Sequence, residues 1–215
     1  MKKMLVVRTD HDAITHYMFH WSIPVINEAE NKGFRVTKID GVKALKGKIL
    51  SCMEALKPDF VFLNGHGNNT VFYGNDKCAA ITLSEAHVFT DTISFVRSCN
   101  SATELGEKAV STHNCQCFIG YKSNFWNAYQ NEKYSQPLND PVSRPVMETS
   151  NLVPLHLIRG DSTKESVEAS HRAAEQEIEK AIFSSDPYSK ASLRALIIND
   201  HGLHFHGDEN ARLVQ

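Results

Sequence analysis

Short apolar runs rich in β-branched and aromatic residues alternate along the chain with longer stretches whose apolar positions recur every third or fourth residue. The short runs are bounded by turn residues, as buried strands are. They predict strands at Met4 to Arg8, Phe34 to Ile39, Phe60 to Leu63, Thr92 to Val96, Gln116 to Tyr121 and, late in the chain, Leu193 to Ile198. The longer rhythm predicts helices. Between Ile14 and Lys32, the residues Ile14, Tyr17, Met18, Trp21, Val25 and Ile26 trace one helical face, which Pro24 should kink or divide and Gly33 should end. Further helices are expected over Val42 to Leu56, Ser101 to His113, Val142 to Ile158 and Thr163 to Phe183. Thr70 to Tyr73 reads as a hairpin arm, and Leu83 to His87 as a helical turn that Thr82 or Ser84 can cap. Leu203 to His206 is expected to pair with the strand at 193–198 as a C-terminal hairpin through Asn199-Asp200-His201-Gly202. Strand and helix alternate as far as Tyr121, so the expected class is α/β, a mostly parallel central sheet with helices on both faces.

Composition narrows this picture. No repeat or linker divides the 215 residues, which suit a single domain, 1–215, with a substantial core. With 23 Lys and Arg against 25 Asp and Glu, the formal net charge of −2 offers no field for nucleic acid or an anionic membrane. The apolar start is broken at once by Arg8, Asp10, His11 and Asp12, too soon for a signal peptide, and no run is long enough to span a bilayer. Five cysteines, an odd number in a chain too large to need staples, are expected to be free thiols of a reducing compartment, the cytoplasm.

The candidate chemistry lies where two predicted strands end. Phe60 to Leu63 runs into Asn64-Gly65-His66-Gly67, and Thr92 to Val96 runs into Arg97-Ser98-Cys99-Asn100-Ser101. If the strands are parallel neighbours, His66 and Cys99 emerge at the same edge, where open α/β sheets carry their chemistry. A thiolate nucleophile beside an imidazole proton carrier is the working pair of a cysteine hydrolase. A helix beginning near Ser101 would stabilise the thiolate, and the flanking glycines allow positive φ and close approach of a ligand. The competing readings are a buried structural thiol and a histidine satisfied within a turn. Cys52 belongs to a helix face and is expected in the core. Cys115 and Cys117, with His113 nearby, should place both sulfurs on one face but lack a second half-site, so no zinc site and no metal or cofactor is expected. His11 and His16, like His204 and His206, read as unaccompanied surface or hairpin residues, and Gly65-His66-Gly67 lacks the Lys-Ser/Thr of a phosphate loop. Residues 122–145, with Phe125, Trp126, Tyr129 and Tyr134, read equally as an ordinary loop or as the wall of a cleft.

The apolar strand ending in His66-Gly67, followed by the apolar strand ending in Ser98-Cys99, resembles the caspase-like superfamily of cysteine peptidases. Ser101-Ala102-Thr103-Glu104-Leu105-Gly106 and Phe118-Ile119-Gly120-Tyr121 resemble its bacterial gingipain and CHAT branch, while the caspase signature Gln-Ala-Cys-Arg-Gly is absent. The resemblance implies a caspase-like three-layer α/β/α sandwich and an endopeptidase working through an acyl-thioester on Cys99. It gives His66 the part of general base and acid, and the backbone N–H groups of Gly67 and Cys99 that of the oxyanion hole. It places Asp10, Asp12 and Ser98 along the substrate pocket and favours cleavage after a basic residue, led by Asp10. No third, orienting carboxylate is evident in the sequence. The expected partners are a protein or peptide substrate and, in the alternative reading, a protein that switches on an otherwise silent interaction module.

Overall fold

Strands covered on both faces cannot alternate apolar with polar residues, and the runs at Met4, Phe60, Ile93 and Cys117 accordingly read as continuous apolar segments. In the computed structural model, which describes residues 1–213, the strands are β1 (Lys3–Arg8), β2 (Arg35–Asp40), β3 (Phe60–Asn64), β4 (Val71–Tyr73), β5 (Ala79–Thr82), β6 (Ile93–Arg97), β7 (Cys117–Tyr121) and β8 (Leu203–Gly207). The helices are α1 (Ala13–Trp21), α2 (Ile23–Asn31), α3 (Lys46–Leu56), α4 (Glu104–His113), α5 (Ser143–Arg159), α6 (Thr163–Phe183) and α7 (Pro187–Gly202). Six strands form one sheet in the order β2-β1-β3-β6-β7-β8, and β4 and β5 form a separate antiparallel hairpin. The first five strands of the sheet run parallel, while β8 closes the edge antiparallel to β7. Pro24 sits in the first turn of α2, where its missing N–H costs nothing, so the proline divides the expected helix in two. Gly33 follows at φ 78°, a left-handed conformation that glycine adopts without strain, and turns the chain into β2.

Successive strand residues point to opposite faces, and the sheet accordingly carries two cores. On one face Met4, Val6, Phe60, Phe62, Ile93 and Phe95 pack with residues of α1, α2, α5 and α6. On the other, Leu5, Val7, Val61, Leu63, Val96 and Phe118 pack with α3, α4 and the 3₁₀ turn Leu83–Phe89. This is the expected three-layer α/β/α arrangement. Cys115 lies in the second core and Cys117 in the first, so their sulfurs face opposite ways, contrary to the expectation of a shared face.

The expected C-terminal hairpin is replaced by a helix and an edge strand. Residues 193–198 belong to α7, whose buried positions Ser192, Ala195, Leu196, Asn199 and Gly202 follow a helical spacing. Its start is fixed by Asp186, whose carboxylate accepts hydrogen bonds from Tyr188 N and Ser189 N ahead of Pro187. The apolar run Leu193-Arg-Ala-Leu-Ile-Ile fits either period, and the Asp-Pro signal before it decides for the helix. Among the described residues, no helix is long and apolar enough to cross a membrane.

Candidate active site

Parallel register brings two distant loops to one rim. Arg8 pairs with Asn64 across β1 and β3, and Asn64 pairs with Arg97 across β3 and β6. His66 and Cys99 therefore stand equally far beyond a matched pair, at the carboxyl edge of neighbouring strands. The β4–β5 arm fastens the histidine loop: Tyr73 N donates to His66 O at 2.9 Å and Asn68 N to Val71 O at 2.9 Å. The flanking glycines are required by space, since neither has positive φ, contrary to expectation. A Cβ on Gly67 would lie 2.6 Å from Ser98 Oγ, and one on Gly65 would lie 3.0 Å from Thr9 Oγ1. Both glycines thus let the β1, β3 and β6 loops touch.

A carboxylate in contact with His66, not evident in the sequence, belongs to Asp12. Asp12 is the N-cap of α1: its Oδ1 accepts from Thr15 N at 2.9 Å and from Thr15 Oγ1 at 2.9 Å. Its Oδ2 lies 2.5 Å from His66 Nε2. Burial alone would raise the Asp12 carboxyl, but the hydrogen bonds from Thr15 and His66 outweigh it and hold the group at about 2. An ionised carboxylate can only accept, so Nε2 carries the proton and the neutral ring keeps its lone pair on Nδ1. Asp12, expected along the substrate pocket, is thereby committed through both oxygens to the helix cap and the histidine. The signal for this role was present as an Asp three residues before Thr15 at a helix start, but its second contact spans 54 residues of chain.

Cys99 is half-buried, and its thiol donates a long contact to Phe125 O at 3.9 Å. Burial raises its pKa, only partly offset by backbone hydrogen bonds, so the resting group is a neutral thiol. The expected thiolate at a helix N-terminus is not formed because residues 101–103 turn without becoming helical and α4 begins only at Glu104. Asn100, at φ 53°, makes that turn. Among the described residues, Gly67 N–H donates to no backbone or side-chain acceptor, and Cys99 N–H lies against the sulfur of its own side chain.

The remaining expected residues are distributed around this pair. Asp10 binds His16 Nδ1 at 3.0 Å, and His16 Nε2 meets Tyr134 O at 3.1 Å, joining the β1 loop to residues 122–145. Ser98 is 1% exposed with an unpartnered Oγ, so it supports Gly67 from below and does not face solvent. Arg8 is drawn away by Asp40, which accepts from Nε at 2.8 Å and from Nη2 at 2.6 Å. His11, expected at the surface, is largely covered beside His66, with ring centroids 5.5 Å apart. Residues 122–145 are tied down at both ends of their span. Asp140 accepts from Tyr17 Oη at 2.6 Å and Gln130 N at 2.7 Å, while Asn199 of α7 exchanges hydrogen bonds with the backbone of Trp126 at 2.8 and 2.7 Å. A pocket of about 340 Å³ on the opposite rim, between Met53, Pro58 and Thr92, contains no thiol.

No family model and no curated protein matches this sequence. Among solved structures, the Arg-specific cysteine proteinase gingipain R (RgpB) superposes with a TM-score of 0.60 over 97% of this chain and 46% of its own, at 10% identity. The fold is caspase-like. A complex of the Porphyromonas gingivalis RgpB pro- and mature domains gives a TM-score of 0.55, 11% identity and coverage of 97% and 47%. This chain spans about half the length of those chains. Within the caspase-like fold, likeness at such identities extends to architecture alone, and every residue role rests on the geometry of the rim.

Proposed function

We propose that the chain is a cysteine endopeptidase with Cys99 as nucleophile, His66 as general base and acid, and Asp12 as the carboxylate that orients His66. The observation that carries this reading is the parallel register that sets His66 opposite Cys99, together with the Asp12 contact that leaves Nδ1 free. As the substrate carbonyl approaches, Nδ1 takes the Cys99 proton and the sulfur attacks the carbonyl carbon. The N–H of Gly67, which has no internal acceptor, and that of Cys99, held only against its own sulfur, are available to the oxyanion. The imidazolium returns the proton to the departing amine, leaving an acyl-thioester. Water then gives a proton to Nδ1 and attacks the thioester, and the protonated ring restores the thiol as the acid product leaves. Asp12 stabilises the imidazolium in both halves.

Cleavage after Arg or Lys is part of the proposal, with Asp10, one carboxylate oxygen of which is free of His16, as the acidic recognition element. A panel of fluorogenic peptides should favour a basic residue before the scissile bond, and preference for Asp or Asn there would defeat this specificity. An acyloxymethyl-ketone probe should label Cys99 stoichiometrically by intact mass, and His66→Ala should abolish labelling. The second reading, a partner-activated module, is favoured by the contact of Cys99 with Phe125 O, which residues near 125 must give up before the sulfur is free. Folded protein in which Cys99 resists the probe would decide for that module.

A further inference from the structure

His11 stands unsatisfied at the rim. Its side chain is 9% exposed, and neither ring nitrogen has a hydrogen-bond partner. An imidazole whose nitrogens are both shut off from solvent normally spends at least one of them on a partner, so the vacant lone pair calls for a ligand. The ring stands edge-on to His66, and its Nε2 lies 3.9 Å from Asp12 Oδ2. One ligating atom from each of His11, Asp12 and His66 falls within 4.8 Å of the other two. Two of these residues follow β1 and the third follows the adjacent β3, so the register that builds the candidate catalytic site also assembles this cluster.

We propose that His11, Asp12 and His66 form a three-ligand site for a borderline divalent cation of the Zn²⁺ class, which replaces the proton held between Asp12 and His66. Two imidazole nitrogens and one carboxylate oxygen suit such ions, whereas Mg²⁺ and Ca²⁺ prefer all-oxygen sets. Metal–ligand bonds of about 2.0–2.1 Å in a tetrahedral site bring ligand atoms to roughly 3.3 Å from one another. The Asp12–His66 pair, now at 2.5 Å, opens slightly, and the His11–Asp12 gap of 3.9 Å closes. The fourth position is left to water.

The consequence for the chemistry rests on the catalytic reading above, whereas the binding itself does not. A neutral imidazole has one lone pair. When Nε2 gives it to the ion, the proton moves to Nδ1, which then cannot accept the Cys99 proton. The metal-bound protein is therefore inactive, and removal of the ion restores the base.

Chelator-treated full-length protein is titrated with Zn²⁺ by calorimetry and with Co²⁺ by visible absorption. One ion per chain is expected, with the intense d–d bands of four-coordinate Co²⁺ and no thiolate charge-transfer band. Cys99→Ser should bind equally well, whereas His11→Ala should weaken binding at least about tenfold, the lower bound set by losses of outer-shell partners. His11→Gln, which keeps the side-chain volume, should weaken it similarly, with an unchanged circular dichroism spectrum. Zn²⁺ should slow probe labelling of Cys99, with reversal by EDTA and an inhibition midpoint raised by the same factor in His11→Gln. Absence of saturable binding, or binding indifferent to both His11 variants, overturns the site. Normal binding in a protein whose Cys99 never labels leaves the site standing and overturns its inhibitory role together with the peptidase.

Discussion

Asp12 plays two parts with two oxygens, and a change of side chain separates them. Asp12→Asn keeps an acceptor for Thr15 but presents a neutral amide to His66, so the ring loses the partner that fixes its tautomer. kcat should fall by about 10²–10⁴-fold with KM and melting temperature little changed, as steady-state kinetics and a thermal melt would show. Asp12→Ala should lose activity similarly and also about 1 kcal/mol of stability, because the N-cap of α1 goes with it. At Gly67 the constraint is steric. A methyl group there would meet Ser98 Oγ at 2.6 Å and Val71 O at 3.0 Å, forcing the His66 and Cys99 loops apart. Gly67→Ala should cost roughly a hundredfold in kcat/KM, the order expected for a misplacement near 1 Å, and Ser98→Gly in the same chain should restore part of it. Neither role could be read from neighbouring residues in sequence. The His-Gly and Ser-Cys strand ends were legible because each is a local pattern, whereas Asp12 and His11 acquire meaning only when β1 and β3 lie side by side.

Among the elements, α7 shows how an apolar run misleads when its caps are overlooked. Several buried positions of this helix are small or polar, including Ser192, Asn199 and Gly202, so no strong apolar stripe marks its period. One of them has a structural role, since Asn199 clamps the backbone of Trp126 through its amide and fastens residues 122–145 to the helix layer. Asn199→Ala removes both hydrogen bonds, and a loss of about 1–3 kcal/mol is expected in urea melts. The fluorescence of Trp126, already 39% exposed, should shift to the red while buried Trp21 is unaffected. The strands were easier to read. Their continuous apolar runs reflect burial on both faces, and that demand is met by the helices in whatever order they cover the sheet.

Across the whole molecule, the two cores are joined through a sheet that is buried throughout its centre. Phe62, fully buried and stacked on Phe95 with centroids 5.5 Å apart, occupies the middle of one face, and Phe62→Ala should cost about 3–5 kcal/mol in equilibrium unfolding. The same burial gives the protein an alkaline limit. Cys115 and Cys117 are pushed from an ordinary value of 9.0 to about 12 by burial. Between about pH 9 and 12 the unfolded chain releases protons that the folded chain retains, so stability, intact below that window, declines across it. The joint replacement Cys115→Ala and Cys117→Ala should flatten this limb of a pH-dependent melting curve while lowering the plateau near neutrality. The parallel sheet and its two faces were thus visible in the sequence as hydrophobic period, while the convergence of charge at the rim depended on long-range pairing.

The half-covered state of Cys99 also bears on survival under oxidants. Peroxide attacks thiolates far faster than thiols, and exposure governs the remainder. With its ionisation suppressed by burial and its sulfur turned toward Phe125 O, Cys99 should rank among the last of the half-buried thiols to form sulfenic acid. Dimedone trapping after graded peroxide exposure would read out that order against Cys52 and Cys78. The residue proposed to be most reactive toward substrate is, between encounters, chemically sheltered.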